Sequence, residues 1–215
     1  MKNDIISYAT CFVTCVAFYF ASCFTYTSKA AAEKINLLER HQQELTQIES
    51  YLNGIKTLSA KFIQESSGGN TAEGKFLLSR PGKMRVEYSG QPKTLIIVNG
   101  AVLAYQDIEL DETSYLSTNT TPASFLTRPT ISFSAKDVEI TNIKKTADQI
   151  KISVKKKNRK EAGEFSLIFS TNPLKFIKME VKNDLDQIVT VTLVDPDFSA
   201  QIANNLFVIK NKNLP

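Results

Sequence analysis

The sequence predicts a mainly β protein of the α+β class, an incomplete antiparallel β-barrel of about eleven strands closed by a helical lid. From residue 56 onwards, short runs of alternating apolar and polar residues recur, a period typical of strands with one dry face. Turn signals such as Gly68-Gly69-Asn70 and Asn99-Gly100 separate these runs at hairpin spacing. Two helical patterns interrupt them. Because a sheet of this many strands curls or closes, we expect both helices to cover its open face.

The first 32 residues are predicted to be a targeting segment. Lys2 supplies a short, weakly positive n-region, and an apolar run follows over residues 5–24. Residues 30–32 are three alanines suited to signal-peptide cleavage. The run is also long enough to span a bilayer as an uncleaved anchor. Cys23 ends a stretch that resembles a bacterial lipobox, so lipidation is a third interpretation. Each interpretation places the rest of the chain outside the cytoplasm.

Composition excludes several kinds of site from the domain predicted over residues 33–215. All three cysteines lie within the first 23 residues and His41 is the single histidine, so neither a Cys/His zinc site nor a cysteine nucleophile can form there. Residues 1–32 hold two basic residues and one acidic residue; without them 24 basic and 21 acidic side chains remain. A net charge of +3 is far from that of nucleic-acid-binding domains. No metal, cofactor or catalytic residue is predicted.

The first helix is predicted over residues 36–53, because Leu38, Leu45, Ile48 and Leu52 recur at steps of three and four or their sums. Gly54 follows these residues, at a position where a left-handed helix end is expected. This helix is the first candidate for the lid.

A second lid helix is predicted near residues 121–128, inside a polar insertion that spans residues 108–134. Thr121-Pro122 resembles an N-cap followed by proline at the first helical position, and Arg128-Pro129 ends the helix. Long insertions between strands are usually functional or disordered. Because this one carries its own helix, we interpret it as a flap.

The strands are predicted from alternation bounded by turn residues, with connections short enough for an antiparallel meander. They are placed at residues 58–64, 76–80, 84–88, 94–98, 101–105, 138–144, 149–155, 164–170, 174–181, 188–194 and 206–210.

Residues 73–88 contain the most informative site pattern. Phe76 and Leu78 share one strand face, and Arg80 lies two positions further along the same face. Pro81 cannot donate to a sheet ladder, so the strand ends or bends there. An arginine at the rim of an apolar sheet face is poorly placed for a core, but it suits the mouth of an apolar cavity.

These patterns together resemble the periplasmic outer-membrane lipoprotein carrier family, the LolA type. Residues 58–64 resemble its Phe-x-Gln strand, and residues 74–81 resemble its Gly-x-Phe-x-Leu-x-Arg-Pro step. Residues 97–105 are similar to its hairpin, and residues 121–126 fall where the family has its mid-chain helical lid. The likeness covers about residues 45–195. The chain has no tryptophan, which departs from the family, and Phe76, Val86 and Tyr105 would supply apolar bulk instead.

The resemblance implies a non-enzymatic periplasmic carrier, a monomer that binds the acyl chains of lipoproteins released from the inner membrane and delivers them to the outer membrane. The partners implied are acylated lipoproteins, an inner-membrane lipoprotein-releasing transporter and an outer-membrane lipoprotein acceptor. It also implies that Arg80 holds the lid shut through hydrogen bonds to lid backbone. The candidate residues of the acyl cavity and lid are Leu52, Ile55, Leu58, Phe62, Phe76, Leu78, Arg80, Met84, Val86 and Leu126.

Other functions stay open at this point. The domain is alternatively a membrane-anchored or lipidated acceptor or sensor of the same fold, or a carrier of another lipid. An enzyme that uses a carboxylate pair would need two acidic residues on the cavity face, and the alternating apolar positions offer none. The basic run at residues 155–160 is interpreted as a solvated hairpin tip, with contact to anionic lipid or an acidic partner as the alternative.

Overall fold

The computed structural model describes residues 39, 41–157, 163–183 and 185–208. The chain divides into two compact units, residues 1–44 and 45–215. Of the first unit, residues 39 and 41–44 are described, and they include the beginning of the first helix. The predicted signal peptide with Cys23 lies outside the described residues, as do residues 36–38 and 40 of the predicted first helix and residues 158–160 of the basic run.

The predicted fold class is confirmed, since eleven strands of the described segments form one sheet in which every neighbouring pair is antiparallel. The strands are β1 (Thr57–Ser66), β2 (Thr71–Ser79), β3 (Lys83–Tyr88), β4 (Thr94–Asn99), β5 (Val102–Asp107), β6 (Glu112–Ser117), β7 (Val138–Lys145), β8 (Gln149–Lys156), β9 (Glu164–Thr171), β10 (Leu174–Lys182) and β11 (Ile188–Asp197).

The strand order is β6-β5-β4-β3-β2-β1-β11-β10-β9-β8-β7, so the first and last strands pair at the centre of the sheet. The hairpins at Gly69 and Gly100 form as predicted, and both glycines adopt positive φ angles, 83° and 62°. Because β6 and β7 lie at opposite edges, residues 118–137 connect one edge of the sheet to the other.

Two strand predictions are wrong: one strand was missed and one predicted strand does not form. The number of strands therefore still agrees with the prediction. β6 was missed because it lies in the segment interpreted as a polar insertion, and nearly all of its side chains are exposed, which removes the alternation signal. The strand predicted at residues 206–210 does not form: Asn204–Phe207 is a 3-10 helix, and residues 209 and 210 lie outside the described part of the chain. Within this 3-10 helix Phe207 is the single buried residue, so buried and exposed residues do not alternate as they would in a strand.

Two α-helices are described, α1 (Gln42–Gly54) and α2 (Ala123–Thr127). Leu45, Ile48 and Leu52 are the buried residues of α1, as the helical spacing predicts. Gly54 has no positive φ angle and ends the helix itself, so the predicted left-handed cap is wrong. The N-cap of α2 is Pro122, one residue later than predicted. Among the described residues no helix is sufficiently long and apolar to cross a membrane.

The inner face of the sheet is the face that bears Leu58, Leu78 and Met84, which lie opposite one another across β1, β2 and β3. Both helices contact this face on β9. The ring of Tyr51 in α1 lies edge-on to Phe169 at 6.2 Å between centroids, and Phe125 in α2 lies 6.2 Å from Phe165.

The outer face of the sheet is partly covered by the segment that follows β11. Phe207 is fully buried against Leu77, Leu95 and Ile97, which point outwards from β2 and β4. Arg85, which points outwards from β3 opposite Leu77, donates from Nη1 to the carbonyl oxygen of Leu206 at 3.1 Å. The sheet therefore has a second, smaller apolar core on its outer side.

Candidate functional site

Arg80 stands one residue beyond β2 and joins the ends of both helices. Its half-buried guanidinium donates from Nη1 to the carbonyl oxygen of Leu52 in α1 at 2.5 Å. Nε and Nη2 both donate to the carbonyl oxygen of Arg128, which follows α2, at 3.2 and 3.0 Å. Because α1 and α2 are separated in sequence, this one side chain is a direct polar link between them.

The remaining acceptors around Arg80 are also uncharged. They are the carbonyl oxygens of Ile55 and Pro129, each at 3.3 Å, and Oδ1 of Asn53 at 3.2 Å. Since no carboxylate is among these partners, desolvation by burial lowers the pKa of Arg80. Carbonyl groups at a helix C-terminus carry partial negative charge, which favours a cation there. The arrangement is strong enough to order the helices but lacks the tight ion pair that would fix them.

Two side chains of α1 extend the link along the segment that follows α2. Asn53 donates from Nδ2 to the carbonyl oxygen of Ile131 and accepts from its amide at Oδ1, both at 2.8 Å. Oε1 of Glu49 accepts from the amide of Phe133 at 2.5 Å and from Oγ of Ser132 at 3.1 Å. The backbone of this segment is therefore bonded to α1 side chains as a strand would be bonded to a neighbouring strand.

The position of α2 is set by contacts at its C-terminal end. The amide of Gly82 donates to the carbonyl oxygen of Thr127 at 2.7 Å, which joins the β2–β3 turn to the helix. Arg128 lies over the ring of Phe125 at 5.1 Å and pairs with Asp137 at 3.0 Å. Desolvation raises the pKa of Asp137, but the hydrogen bond and charge of Arg128 outweigh it, so the pKa lies below its usual value.

The predicted cavity residues lie together on the inner wall, but they are packed in this structure. Leu58, Phe62, Phe76 and Leu78 are at most 3% exposed, and Met84 is 7% exposed. Leu52, Ile55 and Leu126 are likewise buried, and Val86 is half-buried. These side chains fill the space under the helices, so that space opens only when α1 or α2 moves.

Open space lies further along the same wall. A cavity of about 590 Å³ is bordered by Gln64, Ala72, Tyr88, Ile96 and Tyr105 from five neighbouring strands, and by the β3–β4 turn at residues 89–92. We call it the rim cavity. None of the ten predicted site residues lines it.

The sequence held a signal for the rim cavity that the site prediction did not use. Gln64 is two positions beyond Phe62, and Tyr88 is two positions beyond Val86, so the alternation places both on the inner face. The site prediction stopped where the apolar residues stopped.

A second concavity, of about 660 Å³, borders β1, β2 and β11 and is lined in part by outward-pointing charged residues such as Lys61, Glu73 and Lys75. In the described part of the chain, no group of three or more His, Cys, Asp or Glu side chains is arranged to hold a metal ion.

Comparison with known proteins places these features in a family. Residues 53–210 match the family model described as outer membrane lipoprotein carrier protein LolA. An outer-membrane lipoprotein carrier protein of Coxiella burnetii (strain CbuK_Q154) is 29% identical over 182 residues, covering 77% of this chain and 82% of its own. The carrier protein of the same name from Legionella pneumophila (strain Corby) is 27% identical over 177 residues, covering 76% and 83%.

Two further comparisons extend the set of similar proteins. An uncharacterized protein of Rickettsia prowazekii (strain Madrid E) is 23% identical over 199 residues, covering 93% of this chain and 89% of its own. The crystal structure of a LolA superfamily protein from Nitrosomonas europaea superposes with a TM-score of 0.47 at 9% identity, covering 77% of this chain and 97% of that one.

Proposed function

The chain belongs to the outer membrane lipoprotein carrier protein family, and from this membership we propose that it carries acylated lipoproteins through the periplasm. It binds the acyl chains of lipoproteins released from the inner membrane and delivers them to the outer membrane. A transporter supplies the cargo and an outer-membrane acceptor receives it. The carrier acts by binding rather than by catalysis.

The observation that carries the proposal is the position of Arg80. Its guanidinium donates hydrogen bonds to backbone carbonyl groups at the ends of both α1 and α2, and those helices cover an inner wall of buried apolar side chains. A cover whose two helix ends both bind one arginine at the rim of an apolar wall is suited to a site that opens and closes. An ordinary core would need no such connection, since apolar packing alone would hold the helices.

The energetics favour a carrier that opens. The transfer of an acyl chain of about sixteen carbons from a membrane to water is unfavourable by about 12 kcal/mol of free energy, at ~0.8 kcal/mol per CH₂. Free diffusion of a multiply acylated protein through an aqueous compartment is therefore excluded. Each charged hydrogen bond of Arg80 contributes about 1.5–3 kcal/mol. Each closing contact is thus weak compared with the burial of one acyl chain, and together the contacts favour the closed form when no cargo is bound.

The closed, empty form also drives release. The wall residues pack against one another when the cavity is empty, and that packing and the Arg80 contacts are regained when cargo leaves. Delivery to an acceptor is favourable if the carrier recovers only part of the cost of exposing the chains to water. Arg80 accordingly lowers cargo affinity and assists transfer.

The substitution Arg80→Leu tests the proposal. Loss of the contacts with both helices destabilises the closed form, so we expect the affinity for a fluorescent acyl probe to rise about tenfold, with slower transfer to a purified acceptor. Arg85→Leu is the matched control, because Arg85 lies on the outer face of β3 and contacts neither helix. Affinity and transfer rate that change equally in both variants, or in neither, would contradict the role of Arg80.

A membrane-anchored or lipidated acceptor of the same fold is distinguished by the mature N-terminus. Mass spectrometry of the protein from its own cells gives an N-terminus near Glu33 for the soluble carrier. A modified Cys23 indicates the lipidated acceptor, and a retained residue 1 or 2 indicates the anchored form.

A further inference from the structure

The inner wall changes from apolar to polar along three of the five strands that border the rim cavity. On β1 the inward side chains are Leu58, Ala60 and Phe62, all buried, and then Gln64. On β3 they are Met84 and Val86, and then Tyr88.

The adjoining strand changes in the same direction. On β4, Val98 is fully buried and pairs with Met84, Ile96 pairs with Val86, and Thr94 follows at the level of the cavity. Strands β1, β3 and β4 thus change polarity at the same level, while β2 between β1 and β3 stays apolar there with Ala72. A wall that is apolar at one end and able to form hydrogen bonds at the other suits an amphipathic ligand in one orientation.

Gln64 and Tyr88 form a neutral hydrogen-bonding pair in the cavity wall. Oη of Tyr88 donates to Oε1 of Gln64 at 2.8 Å, and the Tyr88 ring packs edge-on against Phe62 at 5.3 Å between centroids. Desolvation by burial raises the pKa of Tyr88, so the phenol keeps its proton at neutral pH. The amide nitrogen of Gln64 has two hydrogens to donate and the phenol oxygen can accept, which matches ester, amide and hydroxyl groups.

The charge of the cavity excludes a different class of head group. Among its lining residues, all of which the structure describes, there is no lysine, arginine or histidine. A phosphate placed here would lose water without gaining a cation. An uncharged head group loses much less hydration free energy when it enters the cavity.

We propose that the rim cavity is a head-group subsite that accepts the uncharged glyceryl-ester and amide end of an acylated protein and rejects the phosphate of a phospholipid with the same chains. This inference rests on the proposed carrier function, because it places the acyl chains under the helices. It identifies Gln64 and Tyr88 as the residues that distinguish a lipoprotein from the surrounding membrane lipid. The selection is needed because phospholipids vastly outnumber lipoproteins in a membrane.

The test compares two probes with identical chains and different heads, a synthetic dipalmitoylglyceryl-cysteine peptide amide and dipalmitoylphosphatidylglycerol. Each competes with a fluorescent acyl probe on the full mature protein. We expect the wild type to bind the lipopeptide at least tenfold more tightly. Tyr88→Phe and Gln64→Leu should lower lipopeptide affinity about threefold to tenfold and leave phosphatidylglycerol affinity unchanged.

Tyr105→Lys should raise the affinity for phosphatidylglycerol several-fold, because it places a cation on the inner face at the cavity. Tyr115→Lys is its matched control, since Tyr115 is an exposed tyrosine on the outer face of β6 that does not line the cavity. Thermal unfolding of each variant confirms that it folds, and Tyr88→Phe, which removes one oxygen, serves if a larger change prevents folding.

The outcomes separate the two proposals. Equal affinity of the wild type for both probes, or equal losses for both probes in Tyr88→Phe, overturns the head-group subsite and leaves the carrier function intact. Failure of both probes to displace the acyl probe overturns the carrier function and the subsite together. A head preference that is present in the wild type and reduced by Tyr105→Lys but not by Tyr115→Lys supports the subsite.

Discussion

Asn53 shows how one side chain can substitute for a strand. Its amide group donates to the carbonyl oxygen of Ile131, accepts from the Ile131 amide, and also accepts from Nη2 of Arg80. It thereby joins α1, the segment after α2, and the end of β2. A side chain with both a donor and an acceptor in one plane is required, which restricts the position to Asn or Gln, and Gln would be one methylene too long.

We predict that Asn53→Leu lowers the free energy of unfolding by about 1–3 kcal/mol, because the Ile131 amide and carbonyl groups are left without their partner. Urea denaturation measures the change, and amide hydrogen exchange at Ile131 should accelerate. Asn205→Leu makes the same substitution at an exposed position and should have little effect. Slow exchange at Ile131 in Asn53→Leu would show that packing alone holds the segment.

Gly74 lies where the inner wall is most crowded. A Cβ atom at this position would lie 2.1 Å from the carbonyl oxygen of Glu87 and 2.8 Å from a ring carbon of Phe62. The close approach of β2 to β3 and to the Phe62 ring therefore depends on the missing side chain, which gives a physical reason for glycine at the start of the Gly-x-Phe-x-Leu-x-Arg-Pro pattern.

Gly74→Ala should lower the free energy of unfolding by about 1–3 kcal/mol through overpacking. Gly54→Ala should change it in the opposite direction, by up to about 1 kcal/mol, since a Cβ there meets no atom within 4 Å and alanine is the better helix former. Thermal or urea unfolding measures both. Two variants with equal stability would contradict the crowding argument.

At the scale of elements, the segment after β11 packs against the outer face of the sheet. Phe207 is 0% exposed in the outer core, while Leu206 beside it is 39% exposed. Lys83 donates from Nζ to Oδ1 of Asn204 at 2.8 Å, so the segment is also held by polar contacts to β3. The outer face of β2 to β4 is consequently covered although it lies away from the helices.

Phe207→Ala should lower the free energy of unfolding by about 3–5 kcal/mol, the usual loss for a phenylalanine removed from a core. Leu206→Ala should change it by less than about 0.5 kcal/mol. Urea denaturation gives both values. Limited proteolysis should cleave after residue 197 in the Phe207 variant alone, and resistance equal to wild type would show that the polar contacts suffice.

Strands and helices could be predicted where the burial of one face produces a regular spacing of apolar residues in the sequence. Strands with one buried face gave alternation, and α1 gave helical spacing. Strand β6 was not predicted, because an edge strand with exposed side chains has no such pattern. The strand predicted at residues 206–210 is wrong, because the single buried residue of that 3-10 helix, Phe207, gives no pattern either. Arg80 could be placed at the rim from Pro81 and the alternation. Its acceptors could not be read from the residues, because they are mostly backbone carbonyl oxygens, which every residue type supplies.

At the scale of the sheet and its cover, the architecture follows from the strand order. The pairing of β1 with β11 places β6 and β7 at opposite edges, so the chain must cross the inner face between them. The helical cover was predictable because the break in strand pattern is long. The packed state of the wall was not, since the same apolar residues would line an open cavity or fill a closed one.

The crossing also has a mechanical consequence. Residues 118–137 start at one margin of the sheet and finish at the other, so their length limits how far the two margins can separate while α2 stays in place. Separating the two margins far enough would draw this stretch taut and displace the helix within it. The spacing of the sheet margins and the position of α2 are therefore coupled through chain length.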